Sequence, residues 1–266
     1  MVDFSIIMAY FNRKHQLSNT LSQFDKMYSC CYQFEVIVVD DASDLEHQIQ
    51  DLPPKFRFPL QVHVITKKQK GRRINPCVAY NIGIRLSKGK CIVLQNPECY
   101  HMTNILEHCV KNLKLNDYFT FSCYAANNTE ISESLMRQGD ISAAMHEKNK
   151  KTKPCHDWYN HPTLRPTGYH FCSAMHRSLL SEIGGGFDER FAKGYGFDDD
   201  YFLWMMKKHA KVTLIPPEEG YVLHQYHLTH KNMLENKKLF SKWRKNQLLF
   251  KKLTKEHPSP HHQHSS

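Results

Sequence analysis

Four short apolar runs, set apart by polar and helical stretches, constrain this chain more than anything else in it. They are FSIIMAY at 4–10, FEVIVV at 34–39, LQVHVIT at 60–66 and CIVLQ at 91–95. Each is rich in branched apolar residues and ends in polar ones, the pattern of a buried strand. Between the first two, residues 15–27 place Leu17, Leu21 and Phe24 on one helical face, and 75–88 reads as a further helix. This alternation predicts an α/β single domain: a mixed, mostly parallel central sheet flanked by helices. Later strands are expected at 119–126, 212–216 and 221–227, and a helix at 130–148. FCSAMHRSLLSEI reads as strand then helix, and the aperiodic, Pro- and His-rich stretch 148–170 as a long loop.

In such sheets the ligand crevice lies past the carboxyl ends of the strands. Asp40-Asp41 follows the second run and Asn96-Pro97-Glu98 follows the fourth. A carboxylate at the first position can accept hydrogen bonds from a nucleobase or ribose, or simply cap the next helix. Glu98, with Asn96, offers oxygen ligands to a hard cation such as Mn²⁺ or Mg²⁺. The plain alternative is a strand-ending turn imposed by Pro97. His224 and His227 stand three apart in HQYH, but among 18 histidines such a pair is weak evidence. Arg72 and Arg73, near Lys67, Lys68 and Lys70, suit phosphate oxygens or a solvated loop equally.

GGGFDERFAKGYGFDDDY, at 184–201, is a costly way to build a surface loop. Asp198, Asp199 and Asp200 repel one another. Such a cluster is tolerated where a cation or a proton in transit needs it. The competing reading is a solvated acidic first turn for the helix that follows, YFLWMMKKH, where carboxylates favour the helix dipole. For three aspartates alone both readings stay open.

Composition narrows the classes. The net charge is +10, yet residues 231–257 carry +7 of it, so a nearly neutral body bears a basic segment. Without base-reading or stacking residues this does not describe a nucleic-acid binder. The lysines of 231–257 alternate with Leu239, Phe240, Trp243, Leu249, Phe250 and Leu253. One or two amphipathic helices are expected there, packed on the domain by preference, with weak contact to an anionic membrane surface as the alternative. No run of about 18 apolar residues and no signal-peptide pattern appears, which predicts a cytoplasmic protein. Nine scattered cysteines indicate neither a disulfide framework nor a zinc ribbon, but buried free thiols.

Taken in order, these pieces resemble the family 2 glycosyltransferases of the GT-A, Rossmann-like fold. FSIIMAYFNR is similar to the family's opening strand and turn, and FEVIVVDDAS to the segment whose aspartate holds the nucleobase. GRRINPCVAYNIGIRLSKGK resembles the A-R-N-x-G-I-x-x-A-x-G segment, with Tyr80 in place of Arg. VLQNPE falls at the D-x-D motif, GGGFDERF at a galactosyltransferase-like GGFDE acceptor loop, and GFDDDYF at the acidic segment that carries the base. The resemblance covers about residues 3–228. It implies an enzyme moving a hexosyl or N-acetylhexosaminyl group from a nucleotide sugar, UDP-linked by preference, to a hydroxyl on a glycan or protein, with inversion. Asp199 would be the base, with Asp198 and Asp200 open as alternatives. Ala9, Tyr10, Asn12, Asp41, Arg73, Asn75, Asn81 and Asn96 would bind the donor, and Gly185, Gly186 and Phe187 the acceptor. Glu98 and His224 would hold Mn²⁺ or Mg²⁺. The implied layout is a domain over 1–228, with a nucleotide half to about 125 and an acceptor half from 126. A basic helical segment follows over 229–257, then a disordered tail over 258–266. The departure is Asn96, an amide where the family has a carboxylate. That leaves a catalytically degenerate nucleotide- or glycan-binding module as the second reading.

Overall fold

The computed structural model describes residues 2–139, 158–228 and 236–256. The first three apolar runs become strands β1 (Phe4–Tyr10), β2 (Phe34–Asp40) and β3 (Leu60–Val64). β2 lies parallel between the other two, in a register that sets Tyr10 beside Asp40. β4 (Cys91–Gln95) pairs parallel with the other side of β1. All four strands therefore end on one side of the sheet, where Tyr10, Asp41 and Asn96 emerge.

Six further strands complete the sheet: β5 (Cys99–His101), β6 (Asp117–Ala125), β7 (Trp158–Asn160), β8 (Cys172–His176), β9 (Lys211–Ile215) and β10 (Tyr221–His224). The order is β3-β2-β1-β4-β8-β6-β10-β5, with β7 and β9 also pairing with β6. β8 is antiparallel to both β4 and β6, so the sheet is mixed, as expected. The first half of β6 pairs with β8 and β9, and its second half with β7 and β10. The sheet curls about this strand. β10 runs antiparallel to β5 with His224 opposite Cys99, which carries the late histidines to Glu98.

Helices cover both faces. Leu17, Leu21 and Phe24 of the Lys14–Tyr28 helix pack on Ile6 and Met8 from one side. Burying each such side chain contributes about 1.5–3 kcal/mol. On the other side the Cys77–Leu86 helix lies so close to β1 that a β-carbon on Gly83 would sit 2.4 Å from Ile7 Cγ2. Among the described residues the free cysteines include Cys77, Cys99, Cys109, Cys123 and Cys172, all buried.

Two expectations need correction. The helix expected at 130–148 is seen as Thr129–Gln138, closed by Gly139 in the left-handed conformation. Its remaining residues, and the 258–266 tail, lie outside the described residues. The stretch expected to be loop through 170 contains β7, because Trp158 packs edge-on against Tyr124 of β6 and draws the chain into the sheet.

The described residues of the basic segment form one helix, Lys237–Glu256. Its apolar side packs on the domain, with Leu253 buried against Phe191 and Tyr201, and Trp243 and Phe250 against Phe197. Asn246 is fully buried and donates from Nδ2 to Phe191 O at 3.0 Å and Gly196 O at 2.7 Å. Among the described residues no helix is long and apolar enough to cross a membrane.

Candidate active site

The adjacent aspartates after β2 divide the two roles the sequence left open. Asp40 Oδ1 accepts from Ser43 N at 2.8 Å and closes the turn, in which Ala42 takes a φ of 64°. Asp41 is paired with Lys70 Nζ at 2.9 Å, and Lys70 also donates to the Asp41 main-chain oxygen at 2.7 Å. Burial raises the Asp41 pKa, while Lys70 opposes the rise. Asp41 lines a cavity of about 850 Å³ together with Ala9, Tyr10, Phe11, Arg13 and Lys70. His227 and the start of the Lys237–Glu256 helix line it as well.

A smaller pocket of about 260 Å³ adjoins it, since Ile74, Pro76 and Tyr195 line both. Its polar walls are Asn75, Asn96, His170, Asp198 and Asp199. The three aspartates form the first turn of the Asp198–His209 helix. The helix-dipole reading and the pocket reading are thus both true of one segment. Phe197, at φ 65°, turns the chain sharply into that helix.

Each aspartate has a different surrounding. Asp198 is buried and accepts from Asn75 Nδ2 at 2.5 Å. Burial first, then the charge of Asp199, pushes its pKa up to about 7. Asp199 keeps 37% of its side chain exposed, with Oδ1 3.3 Å from His170 Nδ1. Its pKa rises likewise to about 7, through its recessed position and the charge of Asp200. Asp200 accepts from Tyr169 Oη at 2.6 Å and does not line the pocket. His170 is buried, which lowers its pKa to about 4, and its Nδ1 completes no hydrogen bond.

Glu98, His224 and His227 converge beside the larger cavity. Glu98 Oε1 lies 3.2 Å from His224 Nε2 and 3.4 Å from His227 Nε2. One ligand atom from each lies within 4.8 Å of the others. Burial works against the Glu98 carboxylate, but the two imidazoles hold its pKa well below the ordinary value. Buried Gln225 fixes the Glu98 main chain, donating to its oxygen from N at 3.0 Å and from Nε2 at 3.2 Å. A carboxylate and two imidazoles, recessed and with an open side, are a donor set that fits a divalent transition metal.

The other expected residues are distributed unevenly. Ala9, Tyr10 and Asp41 line the cavity, and Asn75 and Asn96 line the pocket. Tyr80, standing where the family motif has Arg, donates to Asn96 Oδ1 at 3.0 Å and steadies it. Asn12 is engaged elsewhere: its Nδ2 donates to Asp44 Oδ2 at 2.8 Å, joining two loops. Arg73 donates to the carbonyls of Lys70 and Gln69, at 3.1 and 2.9 Å. Asn81 binds the main chain of Phe187 in both directions, at 2.8 Å each. A β-carbon on Gly186 would lie 2.4 Å from Asn81 Oδ1, so this glycine permits that close approach. Gly185 is exposed outside the pocket, and Phe187 is buried behind it, stacked on Phe202 at 4.3 Å and edge-on to His170 at 4.8 Å. Phe187 supports the pocket wall rather than facing a ligand.

Four features were missed or discounted. His227 was signalled by the HQYH spacing, but only the β5–β10 pairing brings it to Glu98. Tyr195 lay inside the glycine-rich stretch, and His170 inside the presumed loop. Lys238 and Lys242 carried no signal among their many neighbours.

Residues 5–184 match the family described as Glycosyl transferase family 2. The chain belongs to the family 2 glycosyltransferases. The match ends at Gly184, the first residue of the glycine-rich and acidic stretch, so the geometry above describes nearly all of that stretch independently.

Solved structures with this fold include S. aureus TarS 1-349 in complex with UDP-GlcNAc. That structure is 15% identical, at a TM-score of 0.59, over 93% of this chain and 66% of that one. GalNAc-T7 with UDP, GalNAc and Mn²⁺ is 14% identical, at 0.58, over 88% of this chain and 46% of that one. The mannosyltransferase PcManGT from Pyrobaculum calidifontis, in complex with GDP-Man and Mn²⁺, is 15% identical, at 0.52, over 84% and 56%. The chain spans 37% of the full TarS structure. No curated protein matches it. These likenesses establish a GT-A glycosyltransferase fold.

Proposed function

We propose that this glycosyltransferase moves a hexosyl or N-acetylhexosaminyl group from a nucleotide donor, UDP-linked, to a hydroxyl on a glycan or protein, inverting the anomeric carbon. The observation that carries this is the adjacency of the two spaces: the cavity beside Asp41 and the acidic pocket share Ile74, Pro76 and Tyr195. A donor whose nucleoside end meets Asp41 has its sugar at the mouth of the pocket that holds Asp198 and Asp199.

Asp199 is the base in this reading. It lines the pocket together with Asp198, but Asp198 is held by Asn75, and Asp200, outside the pocket, by Tyr169. The acceptor hydroxyl gives its proton to the Asp199 carboxylate while its oxygen bonds to the anomeric carbon. The bond from that carbon to the diphosphate breaks, and the diphosphate leaves with the electron pair. A pKa near 7 suits a base working near neutrality. Glu98, His224 and His227 would hold Mn²⁺, or less favourably Mg²⁺, since imidazole suits the former better. The ion would supply charge neutralisation for the departing diphosphate. Two structures of the same fold were solved with Mn²⁺ and a nucleotide or nucleotide sugar, which supports this assignment.

The test is nucleotide release from a panel of UDP-, GDP- and CDP-sugars, with and without Mn²⁺, against a broad acceptor set. Release from one donor that depends on the ion is the expected result. Silence across donors and acceptors, with UDP still bound in calorimetry, would replace this reading with a degenerate binding module.

A further inference from the structure

The long helix at the C-terminal end of the described chain lies outside the family match, which stops at residue 184. Its basic character read as a solvated face. The structure gives part of that face another position: Lys238 and Lys242 line the larger cavity, which Asp41 also lines.

Two other cations on the cavity are already engaged. Lys70 is committed to the carboxylate and main chain of Asp41. Arg13 donates from Nη1 to Asn12 O at 3.1 Å. Among the described residues Lys238 and Lys242 pair with no carboxylate. Lys242 is half-buried, and its main-chain oxygen accepts from Tyr195 N at 3.4 Å. The helix is locked to the same loop by Asn246, which fills the space over Gly194 so completely that a β-carbon there would meet Asn246 Oδ1 at 1.8 Å. Packing therefore holds Lys242 at the cavity, and the exposed Lys238 stands one helical turn before it, so that both line the cavity.

We infer that the Lys237–Glu256 helix forms the anion-binding wall of the donor cavity, with Lys238 and Lys242 contacting the diphosphate of the nucleotide. The inference rests on the donor reading above and deepens it. Glu98 is the one carboxylate of the Glu98–His224–His227 cluster, Asn96 being an amide, and lysines lining the same cavity as His227 add to the positive potential that a diphosphate needs. The same helix carries Tyr195 through the Lys242 contact, so diphosphate binding and the wall shared with the acidic pocket are mechanically joined.

The experiment is calorimetric titration of the full chain with UDP and, separately, with uridine, in Mn²⁺ at fixed salt. The variants are Lys238→Ala/Lys242→Ala, the charge-keeping Lys238→Arg/Lys242→Arg, and Lys251→Ala as an exposed control on the same helix. The expected result is a loss of UDP affinity of about tenfold or more for the alanine pair, as for lost hydrogen bonds to charged groups. Uridine affinity, the circular dichroism spectrum and Lys251→Ala should stay at wild-type values, and the arginine pair should retain most UDP binding. UDP affinity unchanged in the alanine pair, or equal losses for UDP and uridine, would overturn the inference alone. Wild-type protein that binds neither UDP nor uridine would overturn the donor reading and this inference together.

Discussion

Asp198→Asn tests the electrostatics of the acidic pocket through stability. In the folded chain Asp198 is buried, and its pKa moves from 3.8 to about 7. A raised carboxyl pKa means the native state holds the proton more tightly than the unfolded one, so stability falls as pH rises through this interval. The penalty is absent below the unfolded value and complete above the folded one. At about 1.4 kcal/mol per pKa unit, it reaches about 4 kcal/mol at pH 8 and about 2 kcal/mol at pH 5. Asparagine has the same shape, can still accept from Asn75 and never ionises. Any difference in hydrogen bonding between the two side chains is independent of pH. Asp198→Asn should therefore gain about 2–3 kcal/mol more over wild type at pH 8 than at pH 5. The assay is urea denaturation of both proteins at each pH without added metal, with m-values checked for constancy. An equal effect at the two pH values would show that Asp198 ionises as freely in the fold as in the unfolded chain, and would refute the burial argument.

Asp199→Asn should abolish transfer while leaving UDP affinity, read by calorimetry, close to wild type. Lost UDP binding would remove Asp199 from its assigned role. The transfer rate should decline as pH drops below about 7, because the raised Asp199 pKa protonates the base there. In Asp200→Asn that acid limb should move to lower pH, since the charge of Asp200 is one cause of the raised Asp199 pKa. His227→Ala should weaken Mn²⁺ binding, measured by electron paramagnetic resonance, at least tenfold and comparably to His224→Ala. An unchanged affinity would reduce the ion's protein ligands to Glu98 and His224. Gly194→Ala should destabilise the chain by about 1–3 kcal/mol, because the new methyl group displaces Asn246 from its carbonyl partners. A thermal melt matching wild type would show that the C-terminal helix is not held as described.

Local rules were enough for the first four strands. FEVIVV and CIVLQ are buried on both faces, so their apolar runs are continuous, and helix signals between them imposed a largely parallel order. The carboxyl-end rule likewise located Asp41 and Asn96, because a parallel sheet brings consecutive strand ends to one edge. Motif position already put Asp199 ahead of Asp198 and Asp200 as the proposed base. Support for that order comes from Asn75 and Tyr169, which reach Asp198 and Asp200 across 123 and 31 residues. Asn81 and Phe187 were legible as motif residues but not as partners of each other, since that bond joins positions 106 apart.

What the sequence by itself determined was the class of fold, the edge of the sheet where Asp41 and Asn96 emerge, and the presence of an acidic segment at 198–200. Periodicity and strand-end position are local properties, written within a few residues of one another. The tertiary structure alone decided that His227 joins Glu98, that His170 stands against Asp199, and that a lysine-rich helix lines the cavity beside Asp41. Each of these depends on which distant elements pack together. Long-range packing is selected by the burial of whole surfaces, and no spacing along the chain records it.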